Sequence, residues 1–281
     1  MPVTTQRRKK LAALPVSLAV LTAAAGFCVW QNNDIVVSEY TYVSAQVPAS
    51  FDGYTIVQIS DLHNKLFGKE QSRLLEAIRT ADPDMIVVTG DIVDSMKTDL
   101  SPVFSFAQGA AKIAPVYYVT GNHEHRLSEE DYWELMDGLE NAGVTVLKNR
   151  LVTVDNGEGE TIDLVGLLDL DMTSYALPDI LENADKSRLQ ILLAHQPEHA
   201  AFFAECGADL IFAGHAHGGQ VRLPLIGGLY APGQGVFPEY TAGPYEIGES
   251  CLIVSRGLGN SGYTFRVFNR PEVVVVTLKT E

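Results

Sequence analysis

Five short clusters of polar residues carry the side chains best suited to chemistry. Asp61 and His63 are one residue apart; Gly90-Asp91 is followed by Asp94; Gly121-Asn122-His123-Glu124 is contiguous; His195 stands alone; and Gly214-His215-Ala216-His217 closes the series. Imidazole and carboxylate together are good ligands for Mn, Fe and Zn, whereas an all-oxygen set would suit Mg or Ca. His63, His195, His215 and His217 therefore argue for transition metals. A lone histidine or aspartate is more often a hydrogen-bonded structural group, so the inference rests on the series as a whole.

Each cluster directly follows a stretch that reads as a strand. Residues 54–60, 85–89, 116–120, 189–194 and 210–213 are short apolar runs, and each stops at one of the clusters. Helical patterns lie between them: 70–81, ended by Pro83; a helix opened by a Ser128/Asp131 capping pair and running through Leu139; 177–184; and one opened by Pro197 and running to Glu205. Further strands are expected at 144–147, 151–154 and 162–167, with an Asp155-Asn156-Gly157 turn between the last two, and at 251–255 and 272–278. Strands alternating with helices favour an α/β sandwich, in which ligands collect at the carboxyl ends of strands.

In this order the clusters resemble the five motifs of the calcineurin-like metallophosphoesterase superfamily, across about residues 54–217. The resemblance implies an α/β/β/α sandwich of two mixed sheets flanked by helices, and a two-metal phosphoester hydrolase. It gives one divalent Mn, Fe or Zn ion to Asp61, His63 and His217, and the other to Asn122, His195 and His215, with Asp91 bridging. Two such ions lower the pKa of a shared water, orient a phosphoryl group and neutralise charge developing on its oxygens. It also implies that His123, a motif histidine that is not a ligand, protonates the leaving oxygen or stabilises the transition state. Asp94 is expected to orient a ligand from behind or to cap its turn. The run Gly218-Gly219-Gln220 with Arg222, and residues 255–260 with Arg256, are similar to a bacterial membrane-associated branch. Each arginine either holds a phosphate oxygen or is a surface or structural group.

Charge narrows the partners. Lys and Arg total 20 against 35 Asp and Glu, a net charge of -15, and such a body repels long DNA or RNA. Small phosphoesters fit better. Residues 1–10 hold the basic group Arg7, Arg8, Lys9 and Lys10, and residues 11–30 are uncharged and mostly apolar, the length of a transmembrane signal-anchor. By the positive-inside rule the remainder lies outside the cytoplasm, on a single-pass protein of the cell membrane. A cleaved signal peptide ending near Ala23-Ala24-Ala25 is the alternative, giving a secreted or wall-associated enzyme. Residues 31–53 read as a linker and edge strand, and 54–281 as the metallophosphoesterase domain.

Only Cys28, Cys206 and Cys251 are present, which excludes a disulfide framework. The apolar Leu223, Leu225, Ile226, Leu229 and Phe237 either pack their loop or line a site for a lipid-linked substrate. Phosphodiesterase is the expected activity. A phosphomonoesterase, a pyrophosphatase and a non-catalytic scaffold of the same fold are the alternatives.

Overall fold

The computed structural model describes residues 4–169, 176–262 and 265–281, with side chains from residue 18 onward. The chain begins with α1 (Thr4–Asn33) and β1 (Val36–Ser44), then β2 (Thr55–Ile59), α2 (Ser72–Thr80), β3 (Met85–Thr89), α3 (Ser101–Ala110), β4 (Val116–Val119), α4 (Glu129–Asn141) and β5 (Val144–Val146). The second half runs β6 (Arg150–Asp155), β7 (Thr161–Gly166), α5 (Ala176–Glu182), β8 (Gln190–Leu193), α6 (Ala200–Glu205) and β9 (Leu210–Ala213). Two small hairpins follow, β10 (Arg222–Leu223) with β11 (Gly227–Gly228) and β12 (Tyr230–Ala231) with β13 (Gly235–Val236). The chain ends with β14 (Gly243–Ile247), β15 (Ser250–Val254) and β16 (Glu272–Thr280).

Two six-stranded mixed sheets result, ordered β1-β16-β2-β3-β4-β5 and β14-β15-β9-β8-β7-β6. Ile56, Val87 and Val119 of the first meet Ile162, Ile191, Leu193 and Phe212 of the second in a core between the sheets. The outer face of the first packs on α2, α3 and α4 through Leu74, Val103, Phe106 and Leu135, and that of the second on α5 and α6 through Leu177, Leu181 and Phe203. This is the expected α/β/β/α layering. Residues 85–89 read as one unbroken apolar run because both faces of β3 are covered: Ile86 and Val88 point to the helices, Met85 and Val87 to the other sheet.

Strands β2 to β5 run parallel, as do β7, β8, β9 and β15, so the carboxyl ends within each set share one edge. Gln58, fully buried between the sheets, ties these edges together. Its amide donates to Thr89 Oγ1 at 2.9 Å and to the Ala213 carbonyl at 2.8 Å. Opening of α4 by Ser128 holds, with Asp131 N–H donating to Ser128 Oγ at 3.1 Å.

Besides the two short hairpins β10–β11 and β12–β13, one helix and one longer strand lie outside the sequence expectation. α3 carries Val103, Phe106, Ala107 and Ala110 at helical spacing, but Pro102 and Gly109 mask it. Gly109 is there for space, since a Cβ would sit 2.3 Å from Leu75 Cδ1. β14 lies in what reads as loop because Gly243 and Pro244 open it. Cys28, Cys206 and Cys251 are all free thiols. Among the described residues, no helix is long and apolar enough to cross a membrane. Side chains 11–17 of the expected spanning segment 11–30 lie outside the described residues.

Candidate active site

The five clusters converge because their loops clip to one another. Asp61 N–H donates to the Gly90 carbonyl at 3.0 Å, His63 N–H to the Asp91 carbonyl at 3.1 Å, and Gly214 N–H to the His195 carbonyl at 3.0 Å. Close approach explains the motif glycines. A Cβ on Gly121 would lie 2.3 Å from Asp91 Oδ1, and one on Gly214 would lie 2.0 Å from Ser60 Oγ and 2.5 Å from Asp61 Oδ2. Asp61, His63, Asp91, His215 and His217 all have left-handed backbones, with φ of 51°, 45°, 52°, 63° and 47°. That conformation costs roughly 1–2 kcal/mol per non-glycine residue, and strain of this kind gathers at functional sites.

The side chains meet in a buried knot. His63 Nε2 and His217 Nε2 are 3.2 Å apart, and His195 Nε2 and His215 Nδ1 are 3.1 Å apart. Asp91 Oδ2 lies 3.7 Å from His63 Nε2 and 3.3 Å from His195 Nε2, and Asp61 Oδ1 lies 3.4 Å from His217 Nε2. Asp61-His63-His217 and Asp91-His195-His215 each bring three donor atoms within metal-holding reach of one another. His63, Asp91 and His123 form a third such group. Asn122 Oδ1 is buried without a hydrogen-bond partner among the described residues. Imidazole nitrogens facing one another, beside two carboxylates and an orphaned amide oxygen, make a donor set that fits borderline divalent cations.

Outer contacts fix the ring states. His195 Nδ1 is 2.7 Å from the Thr89 carbonyl, so Nδ1 carries the proton and Nε2 turns to Asp91. Burial opposes protonation of His195, but the charge and hydrogen bond of Asp91 outweigh it and hold the imidazole well above its ordinary range. Burial pushes His63 down to about 4 and His215 to about 3, and drives His217 lower as well. These three rings keep free lone pairs at neutral pH. Burial raises the Asp61 carboxyl to about 6. For Asp91, burial is outweighed by His195, His63 and His123, and its carboxyl stays well below the usual range.

His123 faces the same cavity in a different state. Ser95 N–H donates to His123 Nδ1 at 3.1 Å, which leaves the proton on Nε2, 3.0 Å from Ser261 Oγ. His123 N–H donates to Asp91 Oδ1 at 2.8 Å. Asp94 makes no hydrogen bond to a ligand candidate. Its Oδ1 accepts Met96 N–H at 3.0 Å and stands 3.5 Å from His123 Nδ1, so it caps its turn beside His123.

Neither arginine singled out in the sequence reaches the cavity. Arg222 donates to the Gly218 carbonyl at 2.9 Å and to Thr241 Oγ1 at 3.1 Å, and Arg256 pairs with buried Glu272 at 2.7 Å. Both are held by acceptors that their sequence neighbourhood does not reveal. The cavity of about 160 Å³ beside the knot is lined by Asp91, Asn122, His123, Arg126, His215 and His217, and closed by Gln220, Tyr230, Pro232 and Ser261. Arg126 carries no signal in the sequence beyond standing four residues after Asn122. Its guanidinium has no hydrogen-bond or ion-pair partner among the described residues. Larger hollows of about 480 and 490 Å³ contain no histidine, so size does not mark the site.

Glu124 is the other residue whose part is not legible in the sequence. Fully buried, it accepts N–H groups from Gly121 at 2.6 Å, Asp91 at 2.9 Å and Val93 at 3.2 Å, and so holds the loops after β3 and β4 together.

Fold and site together define a metal-dependent phosphoester hydrolase. Residues 54–219 match the family model described as calcineurin-like phosphoesterase, and the chain belongs to that family. It is 32% identical to the metallophosphoesterase YkuE of Bacillus subtilis, over 98% of both chains. It is also 32% identical to the phosphodiesterase YaeI of Escherichia coli, over 80% of this chain and 82% of that one. Among solved structures, TT1561 of Thermus thermophilus shares the fold with a TM-score of 0.50 at 13% identity, covering 73% of this chain and 90% of that one.

Proposed function

We propose that the chain hydrolyses phosphodiesters with two divalent cations from among Mn, Fe and Zn. Asp61, His63 and His217 hold one; Asn122, His195 and His215 hold the other; Asp91 contributes to both. The observation that carries this reading is the position of Asp91 Oδ2, 3.7 Å from His63 and 3.3 Å from His195, between the two histidine pairs. When bound, the cations would supply Lewis-acid charge for the phosphoryl oxygens and for an attacking water. The protein's own groups do the rest. His123, with its N–H on Nε2 facing the cavity, donates a hydrogen bond to the leaving oxygen and stabilises the charge that develops there as the ester bond breaks. Arg126, unpaired among the described residues and lining the same cavity, takes a non-bridging phosphoryl oxygen. A diester is favoured because the related YaeI is named a phosphodiesterase.

The same reading puts residues 11–30 in the cell membrane with the catalytic domain on the extracytoplasmic side, on the strength of the basic cluster at 7–10 and the uncharged run after it. Leu18, Val20, Leu21 and Val29 of α1 are exposed, as an apolar helix without a protein partner would be. Leu223, Leu225, Ile226 and Phe237 are exposed too, on hairpins adjoining the cavity wall at Tyr230, and they favour a lipid-linked diester. Leu229 is half-buried and packs the loop instead. Turnover of a lipid phosphodiester in mixed micelles tests this. The reading expects it to fall on Leu225→Ala/Phe237→Ala while a water-soluble diester is cleaved as before; equal kinetics would discard the lipid.

A further inference from the structure

The end of α1 is built into the active site. Gln31 is 4% exposed, although its neighbours Val29 and Trp30 are 64% and 49% exposed. Its Oε1 accepts the N–H of Asn269 at 3.1 Å. Asn269, itself fully buried, donates its side-chain amide to the carbonyl of His217 at 2.7 Å and to that of Gln220 at 3.0 Å.

Those two carbonyls bracket a strained turn. His217, Gly218, Gly219 and Gln220 have consecutive positive φ angles of 47°, 64°, 76° and 60°. Two of the four are not glycine, so the turn needs an outside hold to persist. Asn269 supplies it, and Gly218 makes room: a Cβ there would lie 2.1 Å from Asn269 Oδ1.

A second branch starts one residue later. Asn32 Oδ1 accepts from Asn260 Nδ2 at 2.7 Å, and Asn260 Oδ1 accepts from buried Arg266 Nε at 2.9 Å. Arg266 in turn donates to the Arg256 carbonyl at 2.9 Å and the Gly259 carbonyl at 2.5 Å. Asn260 directly precedes Ser261, the residue facing His123 Nε2. Lys65, two residues after His63, donates to the Asn32 carbonyl.

We infer that Gln31 and Asn32 are positioning residues of the active site: Gln31 sets His217 through Asn269, and Asn32 sets the Ser261 wall through Asn260 and Arg266. The inference rests on the proposed reading of His217 as a metal ligand. Groups behind a ligand typically govern metal affinity by about 10- to 100-fold. Processing that removed residue 31 would weaken the metal site, whereas processing after Ala25 would leave it intact.

The test is Mn2+ titration by calorimetry of the full chain, well below its melting temperature. Gln31→Leu and Asn269→Ala are expected to lower the affinity of one of the two Mn2+ sites about tenfold or more. Gln31→Glu, which keeps an Oε acceptor for Asn269, is expected to recover the larger part. Asn33→Ala, whose side chain only donates to the Val29 carbonyl, is expected to bind as wild type. Wild-type affinity in both Gln31→Leu and Asn269→Ala overturns the inference, as does equal damage from Gln31→Glu or from Asn33→Ala. Absence of Mn2+ binding by the wild-type chain overturns the functional reading and the inference with it.

Discussion

The carboxylate of Glu124 accepts the backbone N–H of Asp91 at 2.9 Å, across two loops that follow different strands. The same carboxylate accepts from Gly121 and Val93, so the position of Asp91 depends on a residue that reaches it through the backbone alone. Glu124→Ala leaves three N–H groups without an acceptor, at about 1–3 kcal/mol each where they stay buried. The expected loss is at least about 3 kcal/mol in urea unfolding, with weakened Mn2+ binding. A variant of unchanged stability would show that water or neighbouring groups replace the carboxylate.

Metal affinity should rise with pH. In the cation-free protein His195 keeps its proton well above the ordinary histidine range, while His63, at about 4, and His215, at about 3, are neutral at pH 7. A cation competes with the His195 proton, so binding releases it, and raising the pH removes the competitor. Between pH 7 and 8, above the Asp61 value of about 6, Mn2+ affinity is expected to increase about tenfold per unit for one released proton. Calorimetry in buffers of different ionisation enthalpy checks the proton count. A flat profile with no release would mean that His195 is neutral before binding.

Arg126 should govern substrate and product binding. Removing a charge-assisted contact costs about 1.5–3 kcal/mol, or roughly 10- to 150-fold. Arg126→Ala is therefore expected to raise both KM for a diester and the inhibition constant of inorganic phosphate by at least the lower figure, with Mn2+ affinity unchanged. Arg222→Ala should leave both constants alone and lower stability, because that guanidinium holds the Gly218 carbonyl and Thr241. The reverse pattern would return the phosphate contact to Arg222.

The ligand candidates are legible because each one sits where an apolar strand stops, and a strand such as β3 announces itself through the covering of both faces. The layering follows from the alternation of strands and helices. What sequence order conceals is tertiary partnership. Asn269 stands 52 residues from His217, and its clamp leaves no local pattern. Arg222 and Arg256 look ready for phosphate beside the last motif, yet Thr241 and Glu272 claim them. Glu124 looks like ordinary variation after His123 until its three backbone donors are placed.

The most direct measurement is hydrolysis of bis-p-nitrophenyl phosphate and p-nitrophenyl phosphate by the full-length protein, stripped with chelator and reloaded with Mn2+, Fe2+ or Zn2+. The account predicts diester cleavage that disappears on chelation, returns with metal, and falls steeply in Asp91→Asn. In His123→Ala it should fall with Mn2+ still bound. Absence of hydrolysis of either ester with every one of the three metals would contradict it.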